Sequence, residues 1–238
     1  MASQQLPDPP SAEGGVWVLL MAAGRGERLG GERPKAFVRL GELPLLAEPL
    51  RRLDECRWID AIVVAVPAGW EEPAILLAEE LSATKAVASV TGGATRAESV
   101  RAALAEVPEE ALVVLVHDAA RPLVTDEVIE RVLAPLSEGW DGVVPAVPLA
   151  DTVKRIDGDA VVETVDRSTL VGAQTPQAFL VPTLRAALAG LRGSEPQGAT
   201  DCAALVEAQG GRIRWVEGDR RLLKVTTPSD LELISLWL

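Results

Sequence analysis

Five short apolar runs constrain this fold more than any other feature: Val16–Met21, Ala61–Val66, Ala86–Val90, Leu112–Val116 and Gly142–Val147. Most are continuous rather than alternating, as expected of strands buried on both faces of a largely parallel sheet. Parallel neighbours need crossover connections, and helix-start signals stand where these belong. Thr95 and Glu98 make a capping box ahead of "SVRAALAEV"; Thr125 and Asp126 open "EVIERVLAPL" in the same way. Thr227, Pro228 and Asp230 supply an N-cap, a first-turn proline and an early acid before "LELISLWL". The pattern predicts an α/β layered fold with a mostly parallel central sheet.

One segment interrupts the alternation. "DTVKRIDGDAVVETVDR", residues 151–167, has two β-prone runs around Asp157–Gly158, a hairpin-turn signal. A lone two-stranded hairpin is marginal in water. This one is therefore expected to pack on something else, a second subunit or its own domain.

Composition narrows the function. With 48% hydrophobic and 24% charged residues in 238, the chain suits one large globular domain, here residues 15–238, after a loose polar, proline-rich terminus over 1–14. A formal net charge of −12 speaks against a nucleic-acid partner, and an anion site in so acidic a chain must gather its cations locally. Only four lysines exist, Lys35, Lys85, Lys154 and Lys224. Cys56 and Cys202 have no metal-type spacing and make no disulfide framework, which fits a cytoplasmic protein with free thiols. No signal peptide or membrane-spanning run is expected.

The stretch "LLMAAGRGERLGGERPKAF" leaves the first apolar run through glycines and carries Arg28 and Lys35. A Walker A loop would need Lys-Ser/Thr after its second glycine, and a dinucleotide fingerprint a small residue where Leu29 stands. What remains is Ala22-Ala23-Gly24-x-Gly26-x-Arg28, then Pro34-Lys35. Small residues let backbone N–H groups approach a polyphosphate, and the two cations add charge over it. The other reading of this stretch alone is a tight strand-to-helix turn with two surface cations.

The stretch resembles the N-terminal signature of sugar-nucleotide-type nucleotidyltransferases. "GGATRAESV", "HDAARP", "DTVKR", "TVDR", "QTPQAF", "ATDCA" and "LKVTTPSDL" follow in order. Together they resemble the 2-C-methyl-D-erythritol 4-phosphate cytidylyltransferase family, from about Val16 to the C-terminus. The resemblance implies a three-layer Rossmann-like nucleotidyltransferase fold with a protruding β-hairpin arm, residues 149–168. It implies transfer of CMP from CTP to methylerythritol phosphate with release of pyrophosphate, in non-mevalonate isoprenoid synthesis.

It also implies roles. Backbone at Ala22, Ala23 and Gly24 would lie against the nucleotide. Gly93, Ala94 and Ser99 would read the base, with Arg96 supporting their loop. Asp118, beside Ala119, would be the acid near Mg²⁺ and the triphosphate; a hard cation that keeps waters and phosphate oxygens needs few protein ligands. Arg28 and Lys35 would stabilise the transition state. Arg121, Arg167 and Lys224, with Thr152 and Thr175 as hydroxyl partners, would hold the alcohol phosphate. In the family the arm reaches the neighbouring subunit, which implies a homodimer with composite sites. His117 reads as structural, because a phosphate-monoester nucleophile needs no general base.

Some positions depart from the family pattern: Ala36 for a common glutamine, Cys202 and Ala94 for frequent acids, and Arg220–Arg221 where some relatives carry an acid before Lys224, with Asp219 nearby. Two other functions stay open on the sequence: a cytidylyltransferase for another polyol phosphate such as ribitol 5-phosphate, and a catalytically silent nucleotide-binding module.

Overall fold

The computed structural model describes residues 15–24, 26, 33–191 and 201–238. The expected N-terminal tail, Arg28 and Thr200 lie outside the described residues. In chain order the elements are β1 (Val16–Met21), β2 (Arg39–Leu40), β3 (Leu43–Pro44), α1 (Ala47–Glu55), β4 (Ala61–Val66), α2 (Glu71–Glu80), β5 (Ala86–Thr91) and α3 (Arg96–Leu104). They continue with β6 (Val113–Asp118), α4 (Asp126–Leu133), β7 (Gly142–Pro148), β8 (Val153–Asp157), β9 (Ala160–Val165), β10 (Val171–Ala173) and β11 (Gln177–Leu180). The last are α5 (Val181–Ala189), α6 (Cys202–Ala208), β12 (Ile213–Glu217) and α7 (Pro228–Ser235).

The main sheet has the order β10-β7-β11-β6-β1-β4-β5, with β12 pairing β7. The pairs β1·β4, β1·β6, β4·β5 and β7·β12 are parallel; β11 runs antiparallel between β6 and β7, and β10 antiparallel to β7. The sheet is thus mostly parallel, as the continuous apolar runs predict.

Side chains alternate across it and build two cores. Val18, Leu20, Ile62, Val64 and Leu115 pack with α1, α2 and α4 on one face. Leu19, Val63, Val114, Val116 and Phe179 pack with α3, α5 and α6 on the other. These are the three layers expected of a doubly covered sheet. A smaller core of Leu40, Leu45, Leu123, Val225 and Ile234 fastens α7 and the chain before it to β2–β3.

Several sequence expectations shift. Strand β6 runs to Asp118, beyond its apolar stretch, because the ladder with β1 continues through Leu20–His117 and Met21–Asp118. Thr125 has N-cap dihedrals but makes no side-chain capping bond, unlike Thr95 and Thr227, which both form capping boxes. The expected hairpin is present as β8–β9, a two-stranded sheet of its own. Its loop is Gly158–Asp159 rather than Asp157–Gly158: Asp157 still pairs with Ala160, and Gly158 takes the positive φ of +55° at the first loop position. Ile156, Val161 and Val162 on this arm are exposed.

Helix α7 owes its start to Asp230. One carboxylate oxygen accepts from Thr226 N and Thr227 N, both at 2.8 Å, and from Thr226 Oγ1 at 2.7 Å. Partial burial works to raise the Asp230 carboxyl, but these donors outweigh it and hold it down at about 2. The unfolded carboxyl titrates near 4, so the stabilisation is complete above about pH 4 and fades as pH falls toward 2. Asp230→Ala is expected to cost about 1 kcal/mol in urea denaturation at pH 7. The gap between the two proteins should close on acidification below about pH 4.

Candidate functional site

Four parallel strand ends form the floor of one cleft. Ala22 N donates to Ala65 O at 2.7 Å, Ala119 N to Met21 O at 3.0 Å and Gly92 N to Val66 O at 2.7 Å, so the ends of β1, β4, β5 and β6 are tied together. The carboxyl ends of parallel strands are where α/β folds place ligands. Here they open a cleft of about 620 Å³. Ala22, Ala23, Gly24, Gly93, Ala94, Ser99 and Ala119 line it, together with Lys35, Arg96, Asp118 and Lys224.

Glycine is required on one wall. A Cβ at Gly92 would sit 2.4 Å from Ala23 Cβ, and one at Gly93 would sit 2.2 Å from Glu98 Cβ. The loop before α3 is stiff. Thr95 and Glu98 close the capping box, and Ser99 Oγ accepts from Gly93 N at 3.0 Å while donating to Thr95 O at 2.9 Å. The Ser99 hydroxyl, expected to face a base, is therefore engaged in holding its own loop.

The opposite wall carries Lys35 at the start of a 3-10 turn, Lys35–Phe37, whose Ala36 and Phe37 are buried. Phe37 packs on Trp70 with ring centroids 4.4 Å apart, and Leu46 N donates to Ala36 O at 2.9 Å. Lys35 thus projects from an anchored backbone.

Asp118 is the centre. Its side chain, with the residue only 7% exposed, accepts from Arg96 Nη2 on Oδ1 at 3.1 Å and from Lys224 Nζ on Oδ2 at 2.7 Å. Burial alone would raise this carboxyl, but Arg96 and Lys224 outweigh it, with Arg121 adding, and hold it well below the usual carboxylate range. Arg96 does more than the loop support expected of it: its other arm donates to Cys202 Sγ at 3.2 Å. Burial pushes the Cys202 thiol up, so it is neutral at pH 7 and Asp118 is the counter-charge Arg96 has there. Among the described residues, three cations and one acid face the cleft, a local positive excess in a chain of net charge −12.

The remaining expected residues stand elsewhere. Arg121 donates to Leu222 O at 2.6 Å and to Ala173 O at 3.5 Å, bracing the segment that carries Lys224. Its buried Nε has no partner. Thr175 is buried, and its hydroxyl meets Asp118 N at 3.0 Å and His117 Nδ1 at 3.1 Å, so it does not open on the cleft as a phosphate partner would. Thr152 is exposed at the base of the arm. Arg167, also exposed, donates to Ala150 O. Neither arm residue lines the cleft. The Asp219 carboxylate accepts from Arg221 N within its own loop and is likewise outside the cleft lining.

Sequence reasoning missed Gln174. Its amide pairs with the backbone of Asp219 in both directions, Nε2 donating to Asp219 O at 2.8 Å and Oε1 accepting from Asp219 N at 3.0 Å. With Arg121 on Leu222 O and Val225 N on Ala120 O at 2.8 Å, it fixes the path that delivers Lys224. No periodicity marks a glutamine that pairs with backbone 45 residues away.

Strand ends bearing a small-residue loop, one buried carboxylate and cations make a polyanion cleft of the kind a nucleotidyltransferase of α/β architecture needs. The family model for 2-C-methyl-D-erythritol 4-phosphate cytidylyltransferase matches residues 16–238. The proteins of that name from Nocardia farcinica and Saccharopolyspora erythraea are each 45% identical over 222 residues, covering 93% and 92% of this chain and 93% and 96% of theirs. The crystal structure of the Thermus thermophilus protein of that name superposes with a TM-score of 0.74 at 34% identity, covering 94% of this chain and 98% of that one. The 4-diphosphocytidyl-2C-methyl-D-erythritol synthase of Anaerococcus prevotii gives 0.79 at 26%, with 94% and 98% covered. The chain belongs to the 2-C-methyl-D-erythritol 4-phosphate cytidylyltransferase family.

Replacing the clamp tests its part in the site. Gln174→Leu keeps the bulk but leaves the Asp219 N–H and C=O unpaired, and is expected to destabilise the fold by about 1–3 kcal/mol in urea titration. Limited proteolysis should then cut first within residues 218–224.

Proposed function

We infer that this chain transfers the cytidylyl group of CTP to 2-C-methyl-D-erythritol 4-phosphate, giving 4-diphosphocytidyl-2-C-methyl-D-erythritol and pyrophosphate in isoprenoid biosynthesis. The observation that carries this reading, beside family membership, is the pairing of Arg96 and Lys224 with Asp118 in a cleft that Lys35 and the small-residue loop Ala22–Gly24 also line.

The reaction follows from charge. An oxygen of the alcohol phosphate attacks the α-phosphorus of CTP, the bond from that phosphorus to the bridging oxygen breaks, and pyrophosphate departs with the electron pair. The nucleophile is already an anion, so no base has to take a proton. His117 is suited to none: it is fully buried and burial pushes its imidazole down to about 4. The difficulty is to bring two polyanions together, which positioning and fixed cations relieve.

Backbone at Ala22–Gly24 takes the triphosphate, and Gly93 and Ala94 offer backbone edges to the cytosine while Ser99 keeps their loop in shape. Lys35, with Arg28, stabilises charge on the α-phosphoryl group. Lys224 holds the alcohol phosphate, and Arg121 braces the segment that carries it.

Mg²⁺ fits the donor set in a limited way. Among the described residues no cluster of three or more His, Cys, Asp or Glu could hold a metal ion. Asp118 supplies hard oxygen at the cleft, and a divalent cation held there together with phosphate oxygens would neutralise the triphosphate and the leaving pyrophosphate. Both Asp118 oxygens already accept from cations, so this acid would exchange a protein partner for the ion.

The arm supports a homodimer with composite sites. It shares no ladder with the main sheet, exposes Ile156, Val161 and Val162, and holds Thr152 and Arg167 away from its own cleft. In a dimer these two residues would serve the partner's alcohol-phosphate pocket. No helix among the described residues is long and apolar enough to cross a membrane, and the free thiols of Cys56 and Cys202 suit a cytoplasmic setting.

A panel of alcohol phosphates with CTP and Mg²⁺, read by pyrophosphate release, is expected to give turnover with methylerythritol phosphate. Turnover with ribitol 5-phosphate alone would reassign the substrate. Lys35→Ala should lower kcat on the order of 10²-fold or more with little change in CTP affinity, and an unchanged kcat would remove Lys35 from the reaction. Mixing Arg167→Ala with Lys35→Ala protein should restore part of the activity through one intact hybrid site. No rescue despite demonstrated subunit exchange would count against composite sites.

A further inference from the structure

His117 is the chain's single histidine, wholly buried in the penultimate position of β6, and the reaction gives it no proton to move. Its ring is nevertheless tied at both nitrogens. Nε2 lies 3.0 Å from Arg121 O, and Nδ1 lies 3.1 Å from Thr175 Oγ1.

Counting donors and acceptors fixes the state of the ring. A carbonyl oxygen only accepts, so Nε2 carries a hydrogen and donates to Arg121 O. Thr175 Oγ1 accepts the N–H of Asp118 at 3.0 Å, and its own hydrogen points to Nδ1. A hydrogen on Nδ1 would instead take the second lone pair of that oxygen and leave the hydroxyl hydrogen of Thr175 without its acceptor. Buried polar groups left in that condition are costly. The order of donation is therefore Asp118 N–H to Thr175 Oγ1, Thr175 O–H to His117 Nδ1, and His117 Nε2–H to Arg121 O.

The relay spans the tight turn after β6, which Arg121 N closes on Asp118 O at 2.9 Å. One end of that turn is the acid assigned to the triphosphate and its cation. The other is the arginine that braces the Lys224 segment. Thr175 enters from 57 residues away, next to Gln174, which clamps the same segment at Asp219.

We propose that His117, as the neutral Nε2–H tautomer, is a positioning residue: with Thr175 it forms a buried hydrogen-bond relay that sets Asp118 against Arg121, and so sets the spacing between the two substrate phosphates. Thr175 thereby serves through Asp118 and not as a direct partner of a phosphate. The kinetic part rests on the reaction assigned above; the tautomer does not.

A single histidine makes the test clean. In ¹⁵N-labelled protein at pH 7, long-range ¹H–¹⁵N correlation should show the Nε2–H pattern, and Thr175→Val should move the Nδ1 resonance because its donor is gone. Thr175→Ser should restore that resonance and recover kcat relative to the valine variant. His117→Gln keeps a donor toward Arg121 O without an acceptor for Thr175, and His117→Asn does the reverse. Each is expected to lower kcat on the order of tenfold or more while KM for CTP stays within about threefold, since a displaced group costs rate before nucleotide affinity.

An Nδ1–H or doubly protonated pattern overturns the proposal. So does an Nδ1 resonance indifferent to Thr175→Val, or wild-type kcat in folded Gln and Asn variants. If the histidine variants do not fold, the wild-type and Thr175→Val spectra decide. Wild-type protein inactive with every alcohol phosphate would count against the assigned reaction and leave the same spectra to judge the relay.

Discussion

The site depends on one buried ion cluster: the Asp118 carboxylate held between the Arg96 guanidinium and the Lys224 ammonium. Removing a carboxylate from water is expensive unless cations and hydrogen bonds replace the lost hydration. The fold supplies both from distant parts of the chain. Arg96 comes from the first turn of α3, Lys224 from the segment before α7, and the acid itself from the last position of β6. Lys224 keeps 44% of its side chain exposed, while the Asp118 side chain keeps 10%. The lysine is thus the most exposed member of the cluster.

Much of what surrounds this cluster exists to hold its parts in register. Gln174 and Arg121 grip the backbone on the way to Lys224, the small core of Leu123, Val225 and Ile234 grips it beyond, and Thr175 takes the amide of Asp118. The small-residue loops have the opposite task. Ala23 and Gly92 pack so closely that a single methyl group at position 92 would fill the space between them. A cleft for polyanions here means backbone on one side, fixed cations on the other, and little side-chain bulk between them.

The parallel sheet was legible because strands covered on both faces must be largely apolar, and β1, β4, β7 and β6 as far as Val116 are. The edge strand β12 was not: Arg214, Trp215 and Glu217 face solvent, so no apolar run marks it. Strand β11 was hidden for another reason, being four residues long and beginning with a glutamine. The cleft lining assigned to the nucleotide was legible as a group because its residues sit in contiguous motifs, Ala22–Gly24 and Gly93–Ser99. The alcohol-phosphate half was read only through resemblance, and there the geometry is less obliging: Thr175 is turned inward, and Thr152 and Arg167 stand on the arm. Spacing along a chain does not reveal which hydroxyl another backbone amide will claim.

The antiparallel insertion of β11 has a consequence for how the molecule is made. Residues 177–180 must slip between strands at 113–118 and 142–148 that are synthesised well before them, and Lys224 follows later still. A chain emerging from the ribosome in order would hold Asp118 and Arg96 before either the wedge strand or the second cation exists. The acid would then have one counter-charge in place of two, beside a sheet with a gap at its centre. Folding of the catalytic face is in this sense a late event, set by the last segments to be synthesised, however early the nucleotide loop has formed.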